Sequence, residues 1–430
     1  MQSKKPPFRA NAVFAIFLAF SLAIGSPSAQ AKTKFKVLHT FHGKDGASPV
    51  GVLVRDSVGN LYGTTGAGGG GSCAAGGGDG CGTVFKLDKA GKEVWLHSFS
   101  GANGAGPYAG VLRDSNSNLF GTTIEGGDIR GCEPPYGCGV VFKLNETGTK
   151  ERVLHKFTST PDGLDPEALL VEDKAGNLYG TAPLGGTHGL GVVFKVAPNG
   201  GETILYNFTG GSDGCYPGPG VILDSDGNLY GVAGEGGNGF CNSGVGVVFE
   251  VDTSGQETVL YTFGGADGAH PASVLLFDSK GNLYGTTVYG GSGSGCGNSG
   301  CGTIFELSPQ SGGGWSESVL YNFCSLPNCT DGEGPAYGPL VRDSAGSLYG
   351  TTVFGGAYRN CNGDACGVVF KLDASGRETV LHSFTGGSDG AVPAAGLAMD
   401  SQGNLYGTTQ EGGAACYGSY TCGVVFKIAP

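Results

Sequence analysis

Apolar residues in this chain fall in runs of five to eight, separated by Gly-rich polar stretches, and the runs repeat. The phrase Asn-Leu-Tyr-Gly-Thr-Thr begins at Asn60. It returns with small changes at Asn118, Asn177, Asn228, Asn282, Ser347 and Asn404, at spacings of 58, 59, 51, 54, 65 and 57 residues. A Val-Phe-Lys-Leu phrase starts at Val84, Val141, Val193, Val248, Ile304, Val369 and Val425. A third, of the type Val-Leu-His-x-Phe, ends at Phe41, Phe99, Phe157, Phe208, Phe263, Phe323 and Phe384. The fourth runs from a Pro to an Asp seven residues on, as in Pro49 to Asp56, with the Pro slipping by one residue in the sixth copy. Each phrase has the length and apolar character of a strand.

Four strands in about 57 residues is the size of a propeller blade. The fold class is therefore all-β: a seven-bladed β-propeller of four-stranded blades. The blades are expected at 49–99, 107–157, 166–208, 217–263, 271–323, 336–384 and 393–430 plus 35–41. The chain starts its repeats on a lone fourth strand, Phe35 to Phe41, and ends on a third, Val424 to Ile428. Pairing the two closes the ring with the N-terminal strand and hides the edges of an open array. Between first and second strands, Asp56-Ser57-Val58-Gly59-Asn60 sets Gly where a three-residue hairpin wants a left-handed residue.

Taken together, these phrases resemble the GloVer tandem-repeat family of secreted bacterial proteins. The combination Leu-Tyr-Gly-Thr-Thr-x-x-Gly-Gly followed by Gly-x-Val-Phe carries the likeness over residues 34 to 430. The resemblance implies a propeller and brings no general activity or catalytic residue set. Many members carry C-terminal surface anchors, whereas this sequence stops at Pro430 directly after a strand, so release or periplasmic residence is expected over covalent display.

The first residues read as a secretory signal. Lys4, Lys5 and Arg9 precede an apolar stretch from Ala10 to Ile24, and Ala29-Gln30-Ala31 supplies a cleavage pattern. Residues 1–31 are expected to be removed, leaving 32–430 as a secreted or periplasmic domain without a membrane span. Removal of three cations takes the formal charge from −12 to −15. Scattered Lys and Arg in so acidic a chain do not form a nucleic-acid footprint, which excludes that class of partner.

Gly makes up 86 of 430 residues without a triplet period, so the composition is that of Gly-rich turns and not of collagen. Fourteen Cys in an exported chain imply disulfides. Local pairs suggest themselves at Cys73/Cys81, Cys132/Cys138, Cys296/Cys301, Cys361/Cys366 and Cys416/Cys422, all between second and third strands, and at Cys324/Cys329 after the fifth blade. Cys215 and Cys241 remain and pair by elimination. A metal is not expected, since no Cys-x-x-Cys occurs and no His accompanies the pairs at ligand spacing.

Motifs for catalysis are missing. Gly-x-Ser-x-Gly occurs at 210–214 and 386–390 only as turns after a fourth strand and not as a strand-to-helix elbow. No phosphate-cradling loop precedes a helix, no catalytic residue is singled out, and no cofactor is expected. His39, His97, His155 and His382 share a fourth-strand position with Tyr206, Tyr261 and Tyr321, which reads as packing. Asp45, Asp162, Asp213, Asp267, Asp331 and Asp389, with Asn103 in the other copy, read as turn residues and not as a ring of calcium ligands.

Positions that scatter while the scaffold repeats are the ones the scaffold does not dictate. The residue before the Gly-Gly pair reads Ala67, Glu125, Leu184, Glu235, Tyr289, Phe354 and Glu411. The residue after the strand-opening Pro reads Val50, Tyr108, Glu167, Gly218, Ala272, Tyr337 and Ala394. Carboxylates and aromatics around a channel mouth suit a polar ligand such as a sugar. Candidate contacts are Tyr108, Glu125, Glu167, Glu235, Tyr289, Tyr337, Phe354 and Glu411. The expected role is a monomeric binding or scaffold propeller for an extracellular glycan or protein. A polysaccharide lyase or hydrolase using paired carboxylates, and a structural envelope component, are the alternatives.

Overall fold

A computed structural model describes residues 33–429, apart from 72, 74–79, 129–131, 133–135, 294, 362–364 and 418–419. The expected signal peptide lies outside the described residues. The chain folds as seven antiparallel sheets of four or five strands, the blades of a β-propeller. Blade 1 runs Val54–Arg55, Leu61–Thr65, Thr83–Leu87 and Glu93–Ser98 from the channel outward. Blades 2 to 6 repeat it, with outer strands Glu151–Lys156, Glu202–Asn207, Glu257–Thr262, Trp315–Asn322 and Glu378–Ser383. Blade 7 consists of Ala398–Met399, Leu405–Thr409, Val424–Ala429 and, as its outer strand, Lys34–Thr40. The register from Lys34 opposite Ala429 to Thr40 opposite Val424 closes the ring as expected. No helix among the described residues is long and apolar enough to cross a membrane.

Each repeated phrase has a physical reason. Asp56 ends the first strand, and its Oδ1 accepts the backbone N–H groups of Val58, Gly59 and Asn60. Its Oδ2 accepts the Asn60 amide at 2.7 Å and the Tyr62 hydroxyl at 3.2 Å. Asp, Gly, Asn and Tyr are thus one turn network, and in blade 2 Ser117 takes the left-handed place of Gly59. The Gly of Leu-Tyr-Gly-Thr is equally constrained: a Cβ on Gly63 would lie 2.6 Å from the Phe85 ring. Phe85 lies against that bare backbone and is fully buried.

The same third-strand Phe makes the joint between blades. Phe41, the last aromatic of the closing strand, meets Phe85 edge-on at 5.1 Å. Six further pairs, Phe99–Phe142, Phe157–Phe194, Phe208–Phe249, Phe263–Phe305, Phe323–Phe370 and Phe384–Phe426, repeat that contact at 5.1 to 5.3 Å. Seven edge-to-face pairs therefore run around the whole ring, each worth about 0.5–1.5 kcal/mol beyond its buried area.

At the outer rim the His-or-Tyr position is more than packing. Tyr206 donates its hydroxyl hydrogen to Asp213 at 2.9 Å, Tyr261 to Asp267 at 2.6 Å and Tyr321 to Asp331 at 2.7 Å. His39, His155 and His382 bond Asp45, Asp162 and Asp389 in the same way at 3.0 to 3.1 Å. The Asp residues also hold their turns, as Asp162 does by accepting from Thr158 and Gly163. The third member of each joint carries no mark in the repeat pattern. Glu257, Glu317 and Glu378, from the next blade's outer strand, are pushed up to about 7, 7 and 8 by burial and by the facing Asp. At the joint between blades 6 and 7 Phe35 replaces that Glu and stacks on His382 at 3.8 Å.

Candidate functional site

Residues from all seven blades surround a central cavity of about 330 Å³. Its wall is mostly aliphatic, including Val52, Leu169 and Val274, and its polar groups are Tyr108, Glu167, Tyr337 and Gln410. A second cavity, also about 330 Å³, lies between blades 5 and 6 and is lined by Tyr289, Glu333, Tyr337 and Phe354. Tyr337 borders both. Tyr108, Tyr289, Tyr337 and Phe354 keep 36%, 46%, 52% and 43% of their surface exposed, an unusual concentration of open aromatic area at one mouth.

A backbone ring fixes these side chains. The residue before each blade-opening Pro is left-handed in all seven copies: Ser48, Gly106, Asp165, Tyr216, His270, Gly334 and Val392, with φ from 53° to 65°. Five of them are not Gly, and L-residues adopt this region only when their surroundings impose it. The surroundings are the preceding blade. The N–H of Gly106 donates to the Cys81 carbonyl, Asp165 to Cys138, Gly334 to Cys301, Val392 to Cys366 and Ser48 to Cys422. In the remaining copies Tyr216 and His270 donate to Leu190 and Val245. All seven disulfides pair as expected from the sequence, including Cys215 with Cys241. Five of them thus clamp the residue that accepts an interblade hydrogen bond beside the mouth.

Negative charge collects on the blade 2 and 3 side. Ala105 pairs with Glu125, which brings the Glu125 carboxyl beside Asp165. Burial pushes Asp165 up to about 6. Burial, and then the Asp165 charge, raise both Glu125 and Glu167. Oε2 of Glu125 is buried without a hydrogen-bond partner among the described residues. Glu167 is open to the channel yet surrounded by protein on most sides. Tyr108 is raised by burial and by Glu167 and Glu125, and Tyr337 by burial, Tyr289 and Glu167.

Of the candidate contacts, Tyr108, Glu125, Glu167 and Tyr337 therefore converge, with Tyr289 and Phe354 extending the surface over blades 5 and 6. Glu125, Glu235 and Glu411 line neither cavity; Glu125 is tied to the group by its interactions with Tyr108 and Asp165, and the other two are not. The Glu235 carboxylate accepts the Asn242 N–H at 2.5 Å within its own loop, and Glu411 pairs along the backbone with Ala391. Asp165 was missed. Its column, the residue before Pro, varies as widely as the two columns chosen, and non-Gly residues where a left-handed turn is needed were the available signal.

Solved structures share the fold. Virginiamycin B lyase from Staphylococcus aureus superposes with a TM-score of 0.54 at 13% identity, covering 92% of this chain and 100% of that one. Its catalytically inactive variant with quinupristin gives 0.53 at 13% identity, over 93% and 99%. The extracellular domain of a putative hybrid two-component system from B. thetaiotaomicron gives 0.51 at 13% identity, over 93% of this chain and 42% of that one. Such identities establish the propeller alone. No curated protein matches the sequence. The Gloeobacter/Verrucomicrobia repeat matches residues 70–297 and 294–430, the stretch that carries six of the seven second-strand phrases and most of the clamped ring. A propeller built from these copies, with Cys-rich loops at its mouth, belongs to the Gloeobacter/Verrucomicrobia repeat family.

Proposed function

We propose that this chain is an exported binding propeller whose channel mouth takes an extracellular glycan. The observation that carries the reading is the convergence of Tyr108, Glu167, Tyr337, Tyr289 and Phe354 on two adjoining cavities, with the Asp165 charge felt by Glu167 and by Glu125 beside them. Aromatic faces stack on the apolar faces of sugar rings, and carboxylates accept from their hydroxyls. Each cavity is of small-ligand size, and the shared Tyr337 makes them consecutive subsites for a linear chain. The clamped backbone lowers the ordering cost of binding. Seven disulfides fit an oxidising compartment outside the cytoplasm.

The test is depletion of the oxidised protein by a panel of insoluble polysaccharides, with the supernatant assayed for released oligosaccharides. Depletion that Tyr337→Ala abolishes supports a binding module. No depletion by any glycan removes the reading.

One observation favours a second reading, a glycan-cleaving enzyme. Asp165, pushed up to about 6, lies beside two further carboxyls, and acid–base work needs carboxyl groups whose proton affinities differ. Released products that vanish in Asp165→Asn would establish it.

A further inference from the structure

The seven outer-rim joints are copies of one arrangement, so they can be compared within a single molecule. At the joint between blades 1 and 2, Asn103 stands where the other copies have Asp. Its Nδ2 donates to Glu151 Oε2 at 2.7 Å and lies 3.3 Å from Nε2 of His97. One electropositive NH₂ group thus sits between the imidazole and the carboxylate.

Two other joints keep the imidazole and the carboxylate and replace that amide with a second carboxylate. Between blades 2 and 3, His155 Nε2 is 3.0 Å from Asp162 Oδ2 and 4.0 Å from Glu202 Oε2. Where the closing blade meets blade 1, His39 Nε2 is 3.1 Å from Asp45 Oδ2 and 3.9 Å from Glu93 Oε2. At both, one nitrogen and two oxygens lie within 4.8 Å of one another. The imidazole N–H can serve one carboxylate at most, so two acids and a histidine share a point that the Asn103 copy fills with a neutral N–H donor. Oε1 of Glu93 and of Glu202 is buried without a hydrogen-bond partner among the described residues, as it is in Glu151, Glu257, Glu317 and Glu378, so the distinguishing feature of these two joints is the His–Asp–Glu set itself. The Asp carboxyls are already oriented: Asp45 Oδ1 accepts the His42 N–H at 2.7 Å, and Asp162 Oδ1 accepts from Thr158 and Gly163.

We propose that each of these two joints binds one divalent transition-metal cation through His, Asp and Glu. Mixed imidazole and carboxylate ligands suit Zn²⁺ and its neighbours, and Zn²⁺ tolerates three protein ligands with an open position. Bonds of about 2.0–2.2 Å set adjacent ligand atoms about 3.3 Å apart. The His–Asp separations are already close to that, and the Glu closes in by a side-chain rotation. A cation there ties the outer strands of neighbouring blades. The other copies lack the set: Tyr206, Tyr261 and Tyr321 replace the imidazole, Asn103 replaces one acid, and Phe35 replaces the other.

The experiment is calorimetric titration of the chelator-stripped, oxidised chain with Zn²⁺ at neutral pH. The expected stoichiometry is two. His39→Tyr and His155→Tyr each remove one equivalent and the double variant both, with the fold retained because Tyr stands at this position in three blades. Asn103→Asp completes a third set and raises the count to three. Absence of saturable binding to the unaltered chain overturns the proposal, leaving a shared proton at the joints. So does a count that stays unchanged in the double His variant or in Asn103→Asp.

Discussion

Phe41 meets Phe85 at a centroid distance of 5.1 Å and an angle of 65°, joining the first strand of the folded chain to the third strand of blade 1. That contact is one of seven, and it depends on a strand that is 395 residues from its ladder partner at its first residue, Lys34 facing Ala429. Phe41→Ala removes a fully buried ring from the joint. The expected loss is about 3–5 kcal/mol in chemical denaturation, the usual cost of truncating a core Phe. A change near zero would mean that the ring does not rely on its closing joint.

The rim glutamates set the pH dependence. Burial and the facing Asp hold Glu257, Glu317 and Glu378 at about 7, 7 and 8, above the unfolded value. Groups raised on folding stabilise fully below their unfolded pKa of about 4.3, and the contribution drains away as pH rises through 7 to 8. The turn carboxyls act oppositely. Burial opposes ionisation of Asp56 and Asp400, the Asn, Tyr and backbone donors outweigh it, and that stability is lost as pH falls through their lowered pKa values. With chelator present, the melting temperature should therefore be higher near pH ~5.5 than near pH ~8.5. Replacing the three Glu by Gln should flatten that slope, and a melting temperature that climbs towards pH ~8.5 would contradict the assignment.

The disulfides differ in what they close. Cys361–Cys366 spans five residues and Cys215–Cys241 spans 26. Loop-closure entropy gives about 2 kcal/mol for the short loop and between 3 and 4, roughly, for the long one. Paired Cys→Ser variants measured by urea unfolding should keep that order. Equal losses would show that the short staple acts chiefly through the Val392 hydrogen bond to Cys366 that it steadies.

Tyr108 and Tyr337 both line the central cavity in which the proposed function places a glycan. For a bound oligosaccharide, Tyr108→Ala should lower affinity by about tenfold, or ~1.4 kcal/mol. Tyr337→Ala should lower it further, since that ring borders both cavities, and Phe354→Ala should affect only ligands long enough to reach the second. Isothermal titration with oligosaccharides of increasing length separates these effects.

Seven copies of each strand phrase made the fold legible, because an error in one copy is corrected by the others. Turn chemistry was local too: Asp56, Gly59, Asn60 and Tyr62 lie within seven residues. What stayed hidden depends on neighbouring blades. Glu257 heads an outer strand as an ordinary polar residue, and only the packed joint sets it against Asp213, which lies 44 positions earlier. Asp165 becomes notable only once the loop of blade 2 fixes its backbone and Glu125 comes up beside it. Scatter among copies found Tyr108 and Tyr337, but it could not tell that Glu235 bends back onto Asn242.

Synthesis begins at the N-terminus, so the strand Lys34–Thr40 is made first and must wait for Val424–Ala429 before it has a partner. Throughout that interval it is a bare edge, able to pair with any other strand nearby. Lys34 and Lys36 stand exposed on its outer side in the finished ring. During the wait their charges act as gatekeepers, discouraging wrong partners until the last blade arrives.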